Sequence, residues 1–397
     1  MPTFHQREHS LSARETAPGA LALWLAEMEY PPPDCVSEMV TRYLAGGHLG
    51  YSAGFDFATE SLRHWARRRY GWATGELSCG WYSGVLHAAA AAVLTLTEPG
   101  DAVVVLTPTY PPMLRAVSQL GRRAVRWPLL DEENGYRFDL AALAAVLARE
   151  RPTLLILNTP HNPTGRVFTA PELRALADQL RDSPVQVLSD EIFADIVYPG
   201  ARHVPFMLAA GEEVGERTVT VLSASKAFNL AGLRCAAAIA GSDTLACRLA
   251  RLPAALTGTT TVVGAVASAA AWDHGETWLD TVVDVLAANR DLLFSQLPRR
   301  IPMLSGRPPE GTYLGWLRAH GALADSGDVR AELLRAGVDL ADGTPFGDES
   351  GRRVRLSFAC PPDVLAQALD AIAVTCQALA DQPSSRSPGR APEGRPG

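Results

Sequence analysis

Lysine is almost absent from this chain. Among its 397 residues, Lys and Arg together number 36, and all but Lys226 are arginine. A guanidinium serves wherever only positive charge is needed, but it stays protonated in proteins. A lysine amine can lose its proton, act as a base and condense with a carbonyl. The lone Lys226, in LSASKAFNLAGLRC (222–235), therefore points to a position that needs an amine as nucleophile or base. Cysteine is scarce too. Cys35, Cys79, Cys235, Cys247, Cys360 and Cys376 include no C-x-x-C pair, so neither a zinc site nor a disulfide framework is suggested. Scattered thiols suit a reducing compartment. Long apolar runs are missing: MPTFHQREHSLSARE has no signal core, and the alanine-rich run 88–96 is too short to cross a bilayer. The net charge of −7 argues against a nucleic-acid-binding surface. The basic cluster RHWARRRY (63–70) sits in a helix-like stretch and reads as a solvated face or subunit contact. These absences lead to the expectation of a soluble, cytoplasmic protein. Its 47% apolar content and length suit one large domain plus a smaller one.

The middle of the chain alternates short β-branched runs with helical patterns. Strands are expected at 102–106, 153–158, 185–190, 218–225 and 235–241, with helices at 140–150 and 170–182 among others. Buried runs separated by helices indicate a mostly parallel sheet covered on both faces. In such sheets chemistry collects beyond the carboxyl ends of the strands. The polar motifs TPTY, NTPHNPTG, SDE and SASK each follow one of these runs. From about residue 286 the character changes: a helical stretch (282–297) leads to a PEGTYLGW run, RRVRLSF and a last helix at 363–380. The expected division is an N-terminal arm (1–45), a large domain (46–285), a smaller α+β domain (286–381) and a disordered tail (382–397) whose residues form no core.

Taken in order, NTPHNPTGRVF, SDEIFADIVY, SASKAFNLAGLR and VRLSF resemble a fold-type-I enzyme of pyridoxal phosphate, of the aminotransferase class I/II superfamily. The resemblance spans roughly residues 20–380 and implies an aspartate-aminotransferase-like α/β fold. Its large domain would carry a mostly parallel seven-stranded sheet between helices. Within the superfamily, LWLAEMEYPPP, GHLGYS, SKAFNLAGL and PEGTYLGW resemble the MalY/PatB group, the cystathionine β-lyase-like C–S lyases.

The resemblance implies a role for each matching residue. Lys226 would be the covalent attachment point of the cofactor and afterwards the base that moves the Cα proton. Asp190, ending an apolar strand, would pair with the protonated pyridine nitrogen and keep the ring an electron sink. Asn162 would donate to the ring oxygen, with Asn158 in the same cofactor-binding loop, and Tyr110 would stack on the ring. Ser83, Gly84 and Val85 precede a helix whose free N–H groups suit a phosphate, as do Ser223, Ser225 and Arg234. Tyr51 would reach this region from a neighbouring subunit, which implies a homodimer with shared sites. Arg355 would clamp the substrate α-carboxylate, with Glu27 and Tyr313 also on the substrate side. Strand alternation puts Arg353 on the same face as Arg355, so the choice of Arg355 rests on the family pattern.

Three departures fall near the expected site. Phe193 stands where related enzymes place a hydrogen-bonding Tyr or His. AEMEY replaces ADMDF, so Glu27 and Glu29 are each longer by a methylene. Leu317-Arg318 stands where an aspartate often follows. They direct attention away from cystathionine toward another, bulky cysteine S-conjugate in a specialised biosynthetic route. The expected reaction is β-elimination giving a thiol, pyruvate and ammonia. Aminotransfer, and decarboxylation or oxidative deamination with the C–S bond kept, remain the alternatives. A DNA-binding regulator is not expected, since the motif pattern starts near residue 20 and the charge balance is acidic.

Overall fold

The computed structural model describes residues 15–381 apart from 48, 76–77, 134, 254–255 and 257. The expected tail 382–397 lies outside the described residues. Seven strands form the main sheet: β1 (Cys79–Tyr82), β2 (Ala102–Thr107), β3 (Arg123–Pro128), β4 (Leu154–Asn158), β5 (Gln186–Asp190), β6 (Thr218–Leu222) and β7 (Ala236–Ala240). Their spatial order is β1-β7-β6-β5-β4-β2-β3, and only β7 runs antiparallel to its neighbours. This is the mostly parallel, seven-stranded α/β sheet that the motif order implied.

The strands read as unbroken apolar runs because both faces are covered. Val103, Val105, Leu154, Ile156 and Leu188 pack beneath the alanine-rich helix Val85–Leu96. Val104, Leu106, Leu155, Leu157 and Val187 turn the other way, onto the helix Ala170–Leu180. That helix starts where the chain says it should: Thr169 and Glu172 form a reciprocal capping box. The expected strand over 218–225 stops at Leu222, because Ser223 accepts from the Ser225 N–H and starts the short helix Ala224–Ala227 that carries Lys226.

A second, antiparallel sheet has the order β8-β9-β11-β10, with β8 Leu304–Ser305, β9 Leu314–Ala319, β10 Ala341–Asp342 and β11 Arg353–Ser357. The helices Glu276–Arg300 and Pro362–Ala380 pack on each other beside it. The first of them begins six residues earlier than the sequence pattern suggested. Leu21–Ala22 pairs in parallel with Val338–Asp339, so the N-terminal segment is anchored at this end of the molecule before it crosses to the main sheet. The basic cluster is less solvated than expected. Arg69 pairs with Asp280 at 2.8 Å, Arg68 donates to the Trp272 carbonyl, and Trp65 is buried.

The two sheets meet at the turn after Asn162. Gly165 has φ +69°, and its carbonyl accepts from both Glu310 and Gly311 N–H at 2.9 Å. A Cβ there would lie 2.1 Å from the Pro309 Cβ and 2.9 Å from the Gly311 carbonyl oxygen. Left-handed backbone and steric overlap add, so Gly165→Ala should destabilise the protein by roughly 3 kcal/mol. Urea unfolding should show this as a lower midpoint with an unchanged slope.

Candidate active site

A cavity of about 180 Å³ opens at the carboxyl ends of β4, β5 and β6. Register places Asn158 beside Asp190 on neighbouring strands. Its wall includes Ser83, Gly84, Val85, Tyr110, Asn158, Asn162, Asp190, Phe193, Ser225, Lys226, Arg234 and Arg355. Residues far apart in the chain thus converge because most sit near a strand end or a helix start, while Arg355 reaches in from the middle of β11.

The Asp190 side is fixed by backbone. The Asn158 amide donates to the Asp190 carbonyl at 2.9 Å, and its Oδ1 accepts from the Asn162 N–H at 2.6 Å. Asp190 Oδ1 accepts from the Ile192 N–H at 3.2 Å. Burial pushes Asp190 up to about 7, the adjacent Glu191 charge pushes the same way, and Lys226 opposes them. A buried carboxylate so short of donors suits a cationic partner.

Across the cavity, Lys226 Nζ donates to the Ala26 carbonyl at 2.6 Å. Burial, followed by the positive Arg355, lowers its pKa to about 8, while Glu27 and Asp190 act in the opposite direction. Arg355 is buried. Its guanidinium donates to Asn162 Oδ1 at 3.0 Å and to the Trp24 carbonyl at 2.8 Å, and its Nε has no partner among the described residues. Burial lowers it to about 10. An orphaned N–H on a buried guanidinium is a donor left for an anionic acceptor. Because Asn162 Oδ1 accepts from Arg355, its amide NH₂ is the group left to donate elsewhere.

The cradle at the start of the helix Val85–Leu96 depends on Gly84, whose φ of +140° few side chains adopt. Arg234 itself adopts φ +57°, and its guanidinium lies 3.9 Å from where a Gly84 Cβ would stand. The Ser83 hydroxyl meets His87 Nδ1 at 2.8 Å. Ser223 departs from expectation. It is buried and donates to the Cys235 carbonyl at 2.6 Å while capping the Lys226 helix, so it is spent on backbone and is not on the cavity wall.

Glu27, Tyr313 and Tyr51 are also not on that wall. Tyr313 stands behind it, donating to the Ala26 carbonyl at 3.1 Å and meeting Phe193 edge-on at 5.4 Å. Tyr51 is fully exposed. Arg353, on the same strand face as Arg355, pairs with Asp131 at 2.6 Å outside the cavity. The sequence reading did not single out Leu25 and Ala26, which line one wall, or the Trp24 and Ala26 carbonyls, which accept from Arg355 and Lys226. It also passed over Asn229, with φ +59°, whose amide donates to the Met28 and Tyr30 carbonyls and holds that segment in place. An Asn flanking the lysine motif was the available signal, since Asn tolerates left-handed backbone.

The Asp190 shift has a measurable consequence without cofactor. Its proton is bound more tightly in the folded chain than at the ordinary 3.8, so ionisation costs stability progressively as pH rises from there to about 7. Asp190→Asn should therefore stabilise the cofactor-free protein by on the order of 3 kcal/mol at about pH 8. Thermal unfolding should show the gain shrinking as pH falls toward about 4.

Comparison with known proteins agrees with this geometry. The family model "Aminotransferase class I and II" matches residues 49–372. Cystathionine beta-lyase PatB of Bacillus subtilis is 31% identical, covering 86% of this chain and 88% of that protein. The PLP-bound C-S lyase of Staphylococcus hominis superposes with a TM-score of 0.88 at 26% identity, covering 94% of this chain and 98% of that one. Cystalysin of Treponema denticola, which contains pyridoxal 5'-phosphate, does so with a TM-score of 0.88 at 26% identity, covering 95% and 98%.

Proposed function

From a chain that belongs to the aminotransferase class I and II family, and within it to the pyridoxal-phosphate-dependent C–S lyases of the cystathionine β-lyase group, we infer a β-elimination on a cysteine S-conjugate. The substrate and water give a thiol, pyruvate and ammonia. One observation carries the choice of substrate. The cations on the described cavity wall are Lys226, Arg234 and Arg355, and each has a use in holding cofactor or α-carboxylate. Much of the rest of the lining is apolar: Leu25, Leu86, Met113, Ile192 and Phe193. That surface suits an uncharged, apolar sulfur substituent better than the second amino-acid head of cystathionine, whose charges would lose water without gaining partners.

The residues fit the cofactor. Ser83, Gly84, Val85, Ser225 and Arg234 would take its phosphate, Asp190 its ring nitrogen, Asn162 its ring oxygen, Tyr110 its face and Lys226 its carbonyl carbon. When bound, pyridoxal phosphate supplies a protonated pyridine ring that withdraws electrons from the substrate Cα. The remaining work belongs to the chain. Arg355 binds the α-carboxylate through its free Nε and through the nitrogen that gives up the Trp24 carbonyl. Lys226 takes the proton from Cα and delivers one to the departing sulfur. With an amine lowered to about 8, that exchange is feasible near neutral pH. Phe193 and Tyr313 close the back of the site and keep water from the ring side. Tyr51 and the exposed Leu49, Leu44 and Phe57 suit coverage by a second copy of the chain, giving a cytoplasmic homodimer that serves a specialised biosynthetic route.

The test is product analysis by mass spectrometry with S-alkyl-cysteine, S-aryl-cysteine and cystathionine. Free thiol and pyruvate should appear, fastest from the apolar conjugates. A keto acid or amine that retains the C–S bond, or a preference for cystathionine, would overturn this reading.

A further inference from the structure

Glu191 follows Asp190 directly, yet its side chain leaves the strand end on the opposite side and does not line the cavity. It is completely buried. Oε1 accepts from the Ser189 hydroxyl at 2.7 Å and from the Phe206 N–H at 2.9 Å, and Oε2 lies 2.8 Å from His203 Nε2. His203 is buried as well, packed edge-on against Tyr70, with no partner for its Nδ1 among the described residues. With its proton on Nε2, His203 donates to Glu191 and leaves a lone pair, not an N–H, unmatched. Burying a carboxylate is costly even with three donors, so its position and its charge are the features to examine.

Both point at Asp190. Phe206 and His203 tie the segment after β5 to the helix Phe206–Gly215 and the loop before it, Ser189 ties it back to β5, and together they fix the peptide that carries Asp190. The charge of Glu191 also acts on Asp190 across the strand end. In the empty cavity the two like charges repel. With a cation beside Asp190, the same charge becomes attractive.

We propose that Glu191, oriented by His203, is a positioning residue that holds Asp190 in place and adds a second negative charge behind the ring-nitrogen site, tightening the grip on a protonated pyridine. This rests on the reading of Asp190 as the ring-nitrogen partner. The other charged or titratable groups facing Asp190 are Lys226, from the helix after β6, and Tyr110, from the loop after β2, with Arg355 beyond Lys226.

The experiment measures pyridoxal phosphate affinity of the full chain against pH. At an effective dielectric of about 20, losing a charge several ångströms away changes binding about tenfold. Glu191→Gln should therefore raise the dissociation constant about tenfold near neutral pH. It should also move the acid limb of the affinity profile downward by about half a pH unit or more, because Asp190 loses a like-charged neighbour. A merely structural role weakens binding without that downward shift. A folded Glu191→Gln protein with unchanged affinity and acid limb overturns the proposal, as does weaker binding with the limb unmoved. His203→Leu should weaken binding and His203→Gln, which keeps a neutral donor, should restore it. Should Glu191→Gln not fold, unchanged affinity in His203→Leu overturns the proposal on its own. Asp190→Asn separates the two layers: if it binds the cofactor as well as the native chain, the reading of Asp190 itself is wrong.

Discussion

Replacing Lys226 by Ala should lower elimination by at least about 10⁴-fold, the upper range for losing a positioned proton-transfer group. No other side-chain amine can substitute, since every other member of the 36 Lys and Arg residues is arginine. The fold should survive. Lys226 lies in the last turn of a helix held by the Ser223 cap, and its recorded hydrogen bond goes to one carbonyl, that of Ala26. Removing a buried amine whose pKa burial has lowered to about 8 removes a cost as well as a contact. The variant should thus keep its unfolding midpoint within a few degrees while thiol release disappears. Lys226→Arg should fail equally, because charge without a transferable proton does not restore the step.

Arg355→Met should reduce kcat/KM by about 10²–10³-fold, the loss expected when one partner of a buried charge pair is truncated. The effect should fall mainly on KM for the conjugate and leave cofactor affinity much less changed. The present contacts explain the split. Arg355 reaches the cavity from β11 of the second sheet and is faced by the Phe346 ring 4.8 Å from its guanidinium carbon. Its bond to Asn162 links it to the cofactor loop, so a small change in cofactor binding should accompany the large change in KM. Arg355→Lys should recover little, because a single ammonium cannot reproduce the forked donor geometry. Steady-state kinetics with one apolar S-conjugate, paired with cofactor titration, resolves the two quantities.

The features legible in the sequence were those with local causes. β2 and β4 announced themselves as unbroken apolar runs, because a parallel strand is buried on both faces. Asp190 and Lys226 stood at the ends of such runs, where the parallel topology gathers functional groups. Ser223 shows where local reading fails. Its place beside the lysine suited a phosphate hydroxyl, but an N-cap and a bond to the Cys235 carbonyl occupy it. Arg353 and Arg355 were indistinguishable by alternation; only the packing of the two sheets sends one to Asp131 and the other into the cavity. The wall formed by Leu25 and Ala26, with the Trp24 carbonyl beside it, was invisible for a similar reason. It depends on a segment anchored at Val338–Asp339 and crossing more than three hundred residues of sequence separation, as in the Arg355 bond to the Trp24 carbonyl. Backbone carbonyls carry no side-chain signature, so such a wall is seen only once the chain is folded.

The most direct test of the account is borohydride reduction of the cofactor-loaded enzyme followed by peptide mass spectrometry. A single reduced side-chain adduct is expected, at Lys226, and none in Lys226→Ala. An adduct confined to the chain's α-amino group, or a visible-absorbing complex that persists in Lys226→Ala, would contradict it.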